Sequence, residues 1–492
     1  MKYKLTILCL VIIIPSALFA QSTAPKLNMI QQQELKDQLY ELAGDDFRGR
    51  RGGELGEMRA SAWVAQKAME AGLLPAGEDG TYFQFFNLKR SRTADQSTIR
   101  INDQALELWQ DVWPTNLVET KLEGPVTWLD KMPDTTADLK GKIVAMKIMP
   151  PAPMTLKWVS LWQYRYTSAA IRQQSRELRR HGVAAIIFVA DKPTESLMSF
   201  TGFRYQKGGY AIEGRESSNP GTIPIILAGN ALESIFSEPG NYININLKTE
   251  QFDYPSVNVI AKAEGTDPEL KKEYVLFSGH QDHDGVGPAV NGDPIWNGAD
   301  DNATVTVAML AIGKAWTKQP AKRSALFVWH GSEERGLLGS RYFVGNPTVP
   351  LSSIAAVLNG DMIGRNAPDS AALLGVTEPH LNSAELADMA LAANESLSKF
   401  KLDFSWDAAN HPENWYFRSD HLPYAQADVP AIFFTTLLHS DYHTPFDSPD
   451  KIDYEKLTKM TKWIYETGWR VAETRKRPAL TIEAEETESE GN

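Results

Sequence analysis

Tyr274-Val-Leu-Phe-Ser-Gly-His-Gln-Asp-His283 opens as an apolar run and breaks directly into histidines and a carboxylate. Three more apolar runs of similar length come after it: Ala325 to Trp329, Ile354 to Leu358 and Ala431 to Thr435. Helical patterns stand between them, among them Ala303 to Trp316 and Ala384 to Leu397. Short apolar strands alternating with helices predict an α/β fold, a mostly parallel central sheet covered by helices on both faces. In such open sheets ligands bind beyond the carboxyl ends of the strands. The residues just after each run therefore matter most.

Outward from this region the texture changes. Residues 105 to 250 mix short β-like runs (Ile143 to Ile148, Ala185 to Val189, Ile223 to Leu227) with Pro-rich connectors and one charged helical segment, Ala169 to His181. They read as a smaller inserted α/β or β-rich domain without acid, base or metal chemistry of its own. Residues 27 to 98 carry helical periodicity through Leu35, Leu39 and Leu42, a Gly- and Arg-rich loop from Asp46 to Gly53, and a strand candidate from Tyr82 to Leu88. They are assigned to the same domain as residues 251 to 475. Residues 476 to 492 form an acidic tail, with five glutamates between Glu483 and Glu490, expected to be disordered.

Residues 1 to 20 read as an export signal: Lys2 and Lys4, then the apolar stretch Leu5 to Ile14, then small residues before Gln21. The stretch is short beside the roughly 20 residues of a membrane span. Cys9, the only cysteine, would leave with it, so thiolate ligands and a thiol nucleophile are excluded. Export without disulfides suits a bacterial periplasm or exterior, with no membrane attachment after cleavage. The net charge of -12 argues against a nucleic-acid partner.

Each of the four strand runs delivers histidine or carboxylate to the same predicted edge. His280 and Asp282 follow the first, Glu333 and Glu334 the second, Asp361 the third, and His443 lies a short loop beyond the fourth. Asp300, in Asn297-Gly-Ala-Asp-Asp-Asn302, precedes the helix near Ala303. Alone it would be a helix cap; beside the others it reads as a carboxylate bridging metal ions. Taken singly, each of these residues also has a bland role in a turn or a hydrogen bond. Their joint arrival at one sheet edge does not.

The segments Gly279-His-Gln-Asp-His283, Asn297 to Asn302, Ser332-Glu-Glu-Arg-Gly-Leu-Leu-Gly-Ser340, Asn359-Gly-Asp-Met-Ile-Gly-Arg365, Arg418-Ser-Asp-His421 and Asp441-Tyr-His-Thr-Pro445 resemble metallopeptidase family 28. This co-catalytic dizinc family includes aminopeptidases and, with an inserted protease-associated domain, glutamate carboxypeptidase. Asp46-Phe-Arg-Gly-Arg50 is similar to its opening segment, and Leu139 to Val144, Gly182 to Ile187 and Ile223 to Ile226 are similar to its protease-associated domain.

The resemblance implies an exopeptidase acting on peptides, with two zinc ions; manganese and cobalt suit the same donors. It assigns His280 and Asp361 to one ion, Glu334 and His443 to the other, and Asp300 to both. Glu333 becomes the general base and Tyr416 an oxyanion donor. Asp282 would orient His280, with Asp301 a weaker supporting residue. Gln281 and Thr304-Val-Thr-Val307 depart from the family pattern without removing a ligand. An aminopeptidase is expected; a carboxypeptidase and a non-catalytic receptor on the same fold are the alternatives. A glutaminyl cyclase would use one metal, and no Gly-x-Ser-x-Gly elbow supports a serine hydrolase.

Overall fold

The computed structural model describes residues 23–151, 159–215 and 223–481. The export signal with Cys9 and most of the acidic tail lie outside the described residues. Among the described residues no helix is long and apolar enough to cross a membrane.

The four apolar runs are the centre of a ten-stranded sheet. Its middle order is Ala431–Thr435, Ile354–Gly360, Tyr274–His280, Ser324–His330, and all neighbours in this group are parallel. Their continuous apolar character follows from burial on both sides. Phe277 and Phe327 face one layer, which holds Trp316, Trp463 and Trp469 of the helices Thr304–Lys318 and Tyr454–Glu473. Leu276, Leu326 and Val328 face the other, against Phe343 and Tyr424.

Beyond this group the sheet departs from the parallel expectation. Ser324–His330 is flanked by Thr249–Ala263, which runs antiparallel, and Phe83–Thr93 and Gly209–Ile212 continue antiparallel. Ser370–Leu374 adds antiparallel on the opposite side. The sheet is thus mixed: the four strands that end at the polar motifs form its parallel centre, and Ser370–Leu374 makes one further short parallel pair with Lys401–Leu402 at the edge.

A second, eight-stranded sheet takes all its strands from residues between Thr98 and Leu247. The helix Val159–Arg180 lies on it, with Tyr166, Ala170, Ile171 and Leu178 packed on Val144, Met146, Ile186 and Phe188. Chain exit and return are clamped together: Phe83–Thr93 and Thr249–Ala263 pair from Val259↔Phe83 to Thr249↔Thr93. This long ladder carries the helices Val159–Arg180 and Met198–Lys207 to the polar edge of the main sheet, where Arg204 reaches His443.

Candidate metal centre

Parallel register sets the depth at which each motif emerges. His280 is level with His330, and Gly360 with Phe434. The chain turns beyond them bring seven buried or nearly buried donors into two adjoining groups. One holds His283, Asp301, Glu334 and His443, the other His280, Glu333 and Asp361; within each, the ligand atoms lie within 4.8 Å of one another.

Asp301 joins the groups. Its Oδ1 is 3.3 Å from His280 Nε2 and its Oδ2 is 3.2 Å from His443 Nε2. Glu334 Oε2 is 3.2 Å from the same His443 nitrogen, and Asp361 Oδ1 is 3.5 Å from His280 Nε2. Glu333 Oε2 stands slightly farther off, 3.8 Å from His280 Nε2.

The expected bridge, Asp300, is not there. Its Oδ1 accepts the Gly364 N–H at 2.7 Å, and its Oδ2 lies 3.4 Å from His439 Nε2. The reason is local: Asp301 has extended dihedrals (φ −106°, ψ 91°), and extended backbone sends successive side chains to opposite sides. Asp300 turns into the loop and Asp301 into the site. Asp447 fixes this turn by accepting both the Asp300 and Asp301 N–H groups at 3.0 Å.

Asp282 also differs from its expected part. The nearest acceptor for His280 Nδ1 is the Asp282 backbone carbonyl, at 3.1 Å, with the carboxylate at 3.8 Å. A carbonyl only accepts, so Nδ1 donates to it, and a metal ion taking the place of a second proton would meet the Nε2 lone pair. The carboxylate instead accepts the Glu333 N–H at 2.9 Å and the Glu334 N–H at 3.3 Å. Tyr416 is held by stacking on His380, centroids 4.1 Å apart, and its hydroxyl makes no hydrogen bond among the described residues. It lines neither cavity beside the donors, whereas Tyr442, stacked on His443 at 3.8 Å, lines both.

Three supports lie outside the expected donor set. His283 lies 2.9 Å from Glu334 Oε1 through Nδ1 and orients that carboxylate. Asp284 Oδ2 is 3.0 Å from His443 Nδ1, and Asp284 also pairs with Arg335. Arg50, fully buried, donates to the carbonyls of Gln281, Asn297 and Gly298, and so ties the first motif to the turn holding Asp301. Arg50 sits in the Asp46 to Arg50 motif, which was the available signal; Asp447 had none.

The electrostatics are those of an acidic pocket. Burial first, then Glu334, Asp420 and Asp361, push the Glu333 carboxyl well above its usual range. Burial opposes protonation of His280, yet Glu333 and Asp361 raise it well above an ordinary histidine. Asp301, Glu333, Glu334 and Asp361 crowd one buried volume, which disfavours four anions unless cations compensate. His280 Nε2 and Asp361 Oδ1 are buried there without a hydrogen bond. Tetrahedral zinc with donors at about 2.0–2.1 Å has its ligand atoms ~3.3 Å apart. The 3.2 to 3.5 Å separations around Asp301, His280 and His443 fit that spacing.

Residues 258–468 match the description Peptidase family M28. That segment, which holds all seven donors, is similar to the family. Among its relatives, a probable leucine aminopeptidase 2 of Aspergillus oryzae is 31% identical over 122 residues, 25% of this chain and 22% of the relative. Aminopeptidase YwaD of Bacillus subtilis is 26% identical over 192 residues, 38% of this chain and 40% of the relative. The alignments thus span well under half the length of these curated relatives. Two solved structures share the fold over nearly the whole chain. BSAP, a zinc aminopeptidase from Bacillus subtilis, aligns with a TM-score of 0.59 at 18% identity, covering 91% of this chain and 97% of that one. An aminopeptidase from Aneurinibacillus sp. strain AM-1 aligns at 0.57 and 16%, covering 92% and 96%.

Proposed function

We propose that this chain is an exported metallo-aminopeptidase that holds two zinc ions and releases residues from the free N-terminus of peptides. The carrying observation is Asp301, whose two carboxylate oxygens face the histidines of two separate donor groups. His280, Asp361 and Asp301 would hold one ion, and Glu334, His443 and Asp301 the other. Bound zinc supplies Lewis acidity and brings the pKa of a water close to neutral.

The chain's own residues do the rest. Glu333 lies beside the donors without being central to either histidine, so it serves as general base and passes the proton to the leaving amine. Asp282 fixes the backbone of Glu333 and Glu334. The adjoining cavity, of about 450 Å³, has Phe200, Phe203, Trp296 and Leu337 in its walls and Asp284, Glu333 and Glu334 beside them. Apolar walls suit an N-terminal side chain, and the carboxylates suit its ammonium group.

Export rests on the N-terminal sequence, and N-terminal sequencing of the mature protein tests it. Product analysis tests the activity: peptides with a free N-terminus lose their first residue, and N-acetylated ones stay intact. Release of the C-terminal residue from an acetylated peptide would replace this reading with a carboxypeptidase.

A further inference from the structure

A second cavity, of about 840 Å³, meets the first at Arg204, Arg418, Tyr442 and His443. Its charge is more one-sided than that of the first, which sets Asp284, Glu333 and Glu334 among Arg51, Arg204, Arg335 and Arg418. Although the chain has 62 acidic residues against 50 basic ones, the walls of this cavity carry, among the described residues, six arginines and a single acid, Glu177. Four of the arginines come from one helix, Val159–Arg180: Arg165, Arg172, Arg176 and Arg180. Their spacing of seven, four and four residues stacks them along one face. Like charges four apart on a helix repel, so such a face is costly unless something anionic answers it.

Part of that charge is already answered. Glu413, buried, takes Arg165 at 2.6 Å and Arg418 at 3.1 Å, and Glu177 takes Arg180 at 2.6 Å. Arg172 and Arg176 are exposed to the cavity and pair with no carboxylate among the described residues. Guanidinium groups bind carboxylates in a planar fork.

We infer that Arg172 and Arg176 bind a carboxylate of the substrate on its leaving side, so that the enzyme selects short peptides with a free C-terminus or peptides acidic just beyond the first residue. The inference rests on the aminopeptidase reading and extends it. The two cavities meet at His443, one of the metal-site donors; Asp284, Glu333 and Glu334 lie on one side of it, and Arg172 and Arg176, which no carboxylate among the described residues answers, on the other. A zwitterionic peptide lies across that boundary in one direction only: ammonium toward Asp284, Glu333 and Glu334, carboxylate toward the helix. The same arginines repel a free amine and disfavour the reversed pose.

The test compares kcat/KM for Leu-Ala-Ala, Leu-Ala-Ala-amide and Leu-Ala-Glu-amide, in the full-length zinc enzyme and in an Arg172→Ala/Arg176→Ala double variant. In the unaltered enzyme at low salt, at least one carboxylate peptide exceeds the neutral amide by about tenfold or more, chiefly through KM, and added salt shrinks the ratio. Preference for Leu-Ala-Ala assigns the C-terminal carboxylate, and preference for Leu-Ala-Glu-amide assigns an acidic side chain. In the double variant the ratio falls toward one; being a ratio, it is insensitive to partial loss of folded protein. Equal rates on all three peptides, or a preference that survives in the variant, would overturn this inference alone. Failure to release leucine from any of them would overturn the aminopeptidase reading and this inference with it.

Discussion

The carboxylate of Asp282 accepts the backbone N–H of Glu333 at 2.9 Å, so the loop after the first central strand holds the turn after the second. Two segments that follow different strands are thereby locked in one geometry. Asp282→Ala leaves the Glu333 and Glu334 N–H groups without this acceptor. Activity is expected to fall by ~10–100-fold, as for other residues that orient metal ligands. Asp282→Asn keeps one accepting oxygen and should lose less; equal loss in both variants would point to charge and not to alignment.

Glu333 stands beside the donors but 3.8 Å from His280 Nε2, outside the tightest contacts. Glu333→Gln is therefore expected to bind its metal normally while kcat falls by about 10²–10⁴-fold, the range of a positioned general base. Metal analysis and steady-state kinetics on one preparation check both halves. Loss of metal together with activity would make Glu333 a ligand.

Arg50 is the fastener of the site. It is buried and satisfies carbonyls of Leu42, Gln281, Asn297 and Gly298, although burial lowers its own pKa to about 10. Arg50→Met strands these carbonyls, each costing ~1–3 kcal/mol when left unpaired. Unfolding in urea should show a loss of at least ~3 kcal/mol, and Arg50→Lys, without the planar fork, should recover little of it.

Acid should weaken the fold through two histidines that are not donors. Burial lowers His330, next to the charge of His280, and burial also lowers His421, each to about 3. An unfolded histidine titrates near 6.5, so between about that pH and about 3 the unfolded chain binds more protons. Their contribution is then intact above about 6.5 and is lost as pH falls through the window, at up to ~1.4 kcal/mol per pH unit for each. His330 is held neutral between Asn258 Oδ1 at 3.3 Å and the Tyr424 hydroxyl at 3.2 Å. Urea midpoints measured from about pH 7 to about pH 4 with excess chelator should fall less steeply in His330→Gln than in the unaltered protein.

Much of this is legible in the sequence alone. Strands buried on both faces, such as Tyr274–His280, announce themselves as unbroken apolar runs, and the residues after them mark the sheet edge. The antiparallel half was not legible, because Thr249–Ala263 is exposed along its first half and buried along the second, and so lacks one period. His280, Glu334, Asp361 and His443 stand in the donor groups because each directly follows a strand or its loop. Asp300 and Asp301 are chemically identical neighbours, and only the backbone dihedrals at the turn decide which one faces the site. Asp447 lies 147 residues from the turn it holds, and Arg204 comes from the helices beside the other sheet. Such contacts are set by tertiary packing, which leaves no local pattern.

Zinc content most directly tests whether Asp301, and not Asp300, joins two donor groups that each take a metal ion. It is measured on purified unaltered protein alongside Asp301→Asn and Asp300→Asn. Close to two equivalents are expected in the unaltered protein and in Asp300→Asn, and one or fewer in Asp301→Asn. Two equivalents retained in Asp301→Asn, or loss in Asp300→Asn alone, would contradict the bridging role of Asp301.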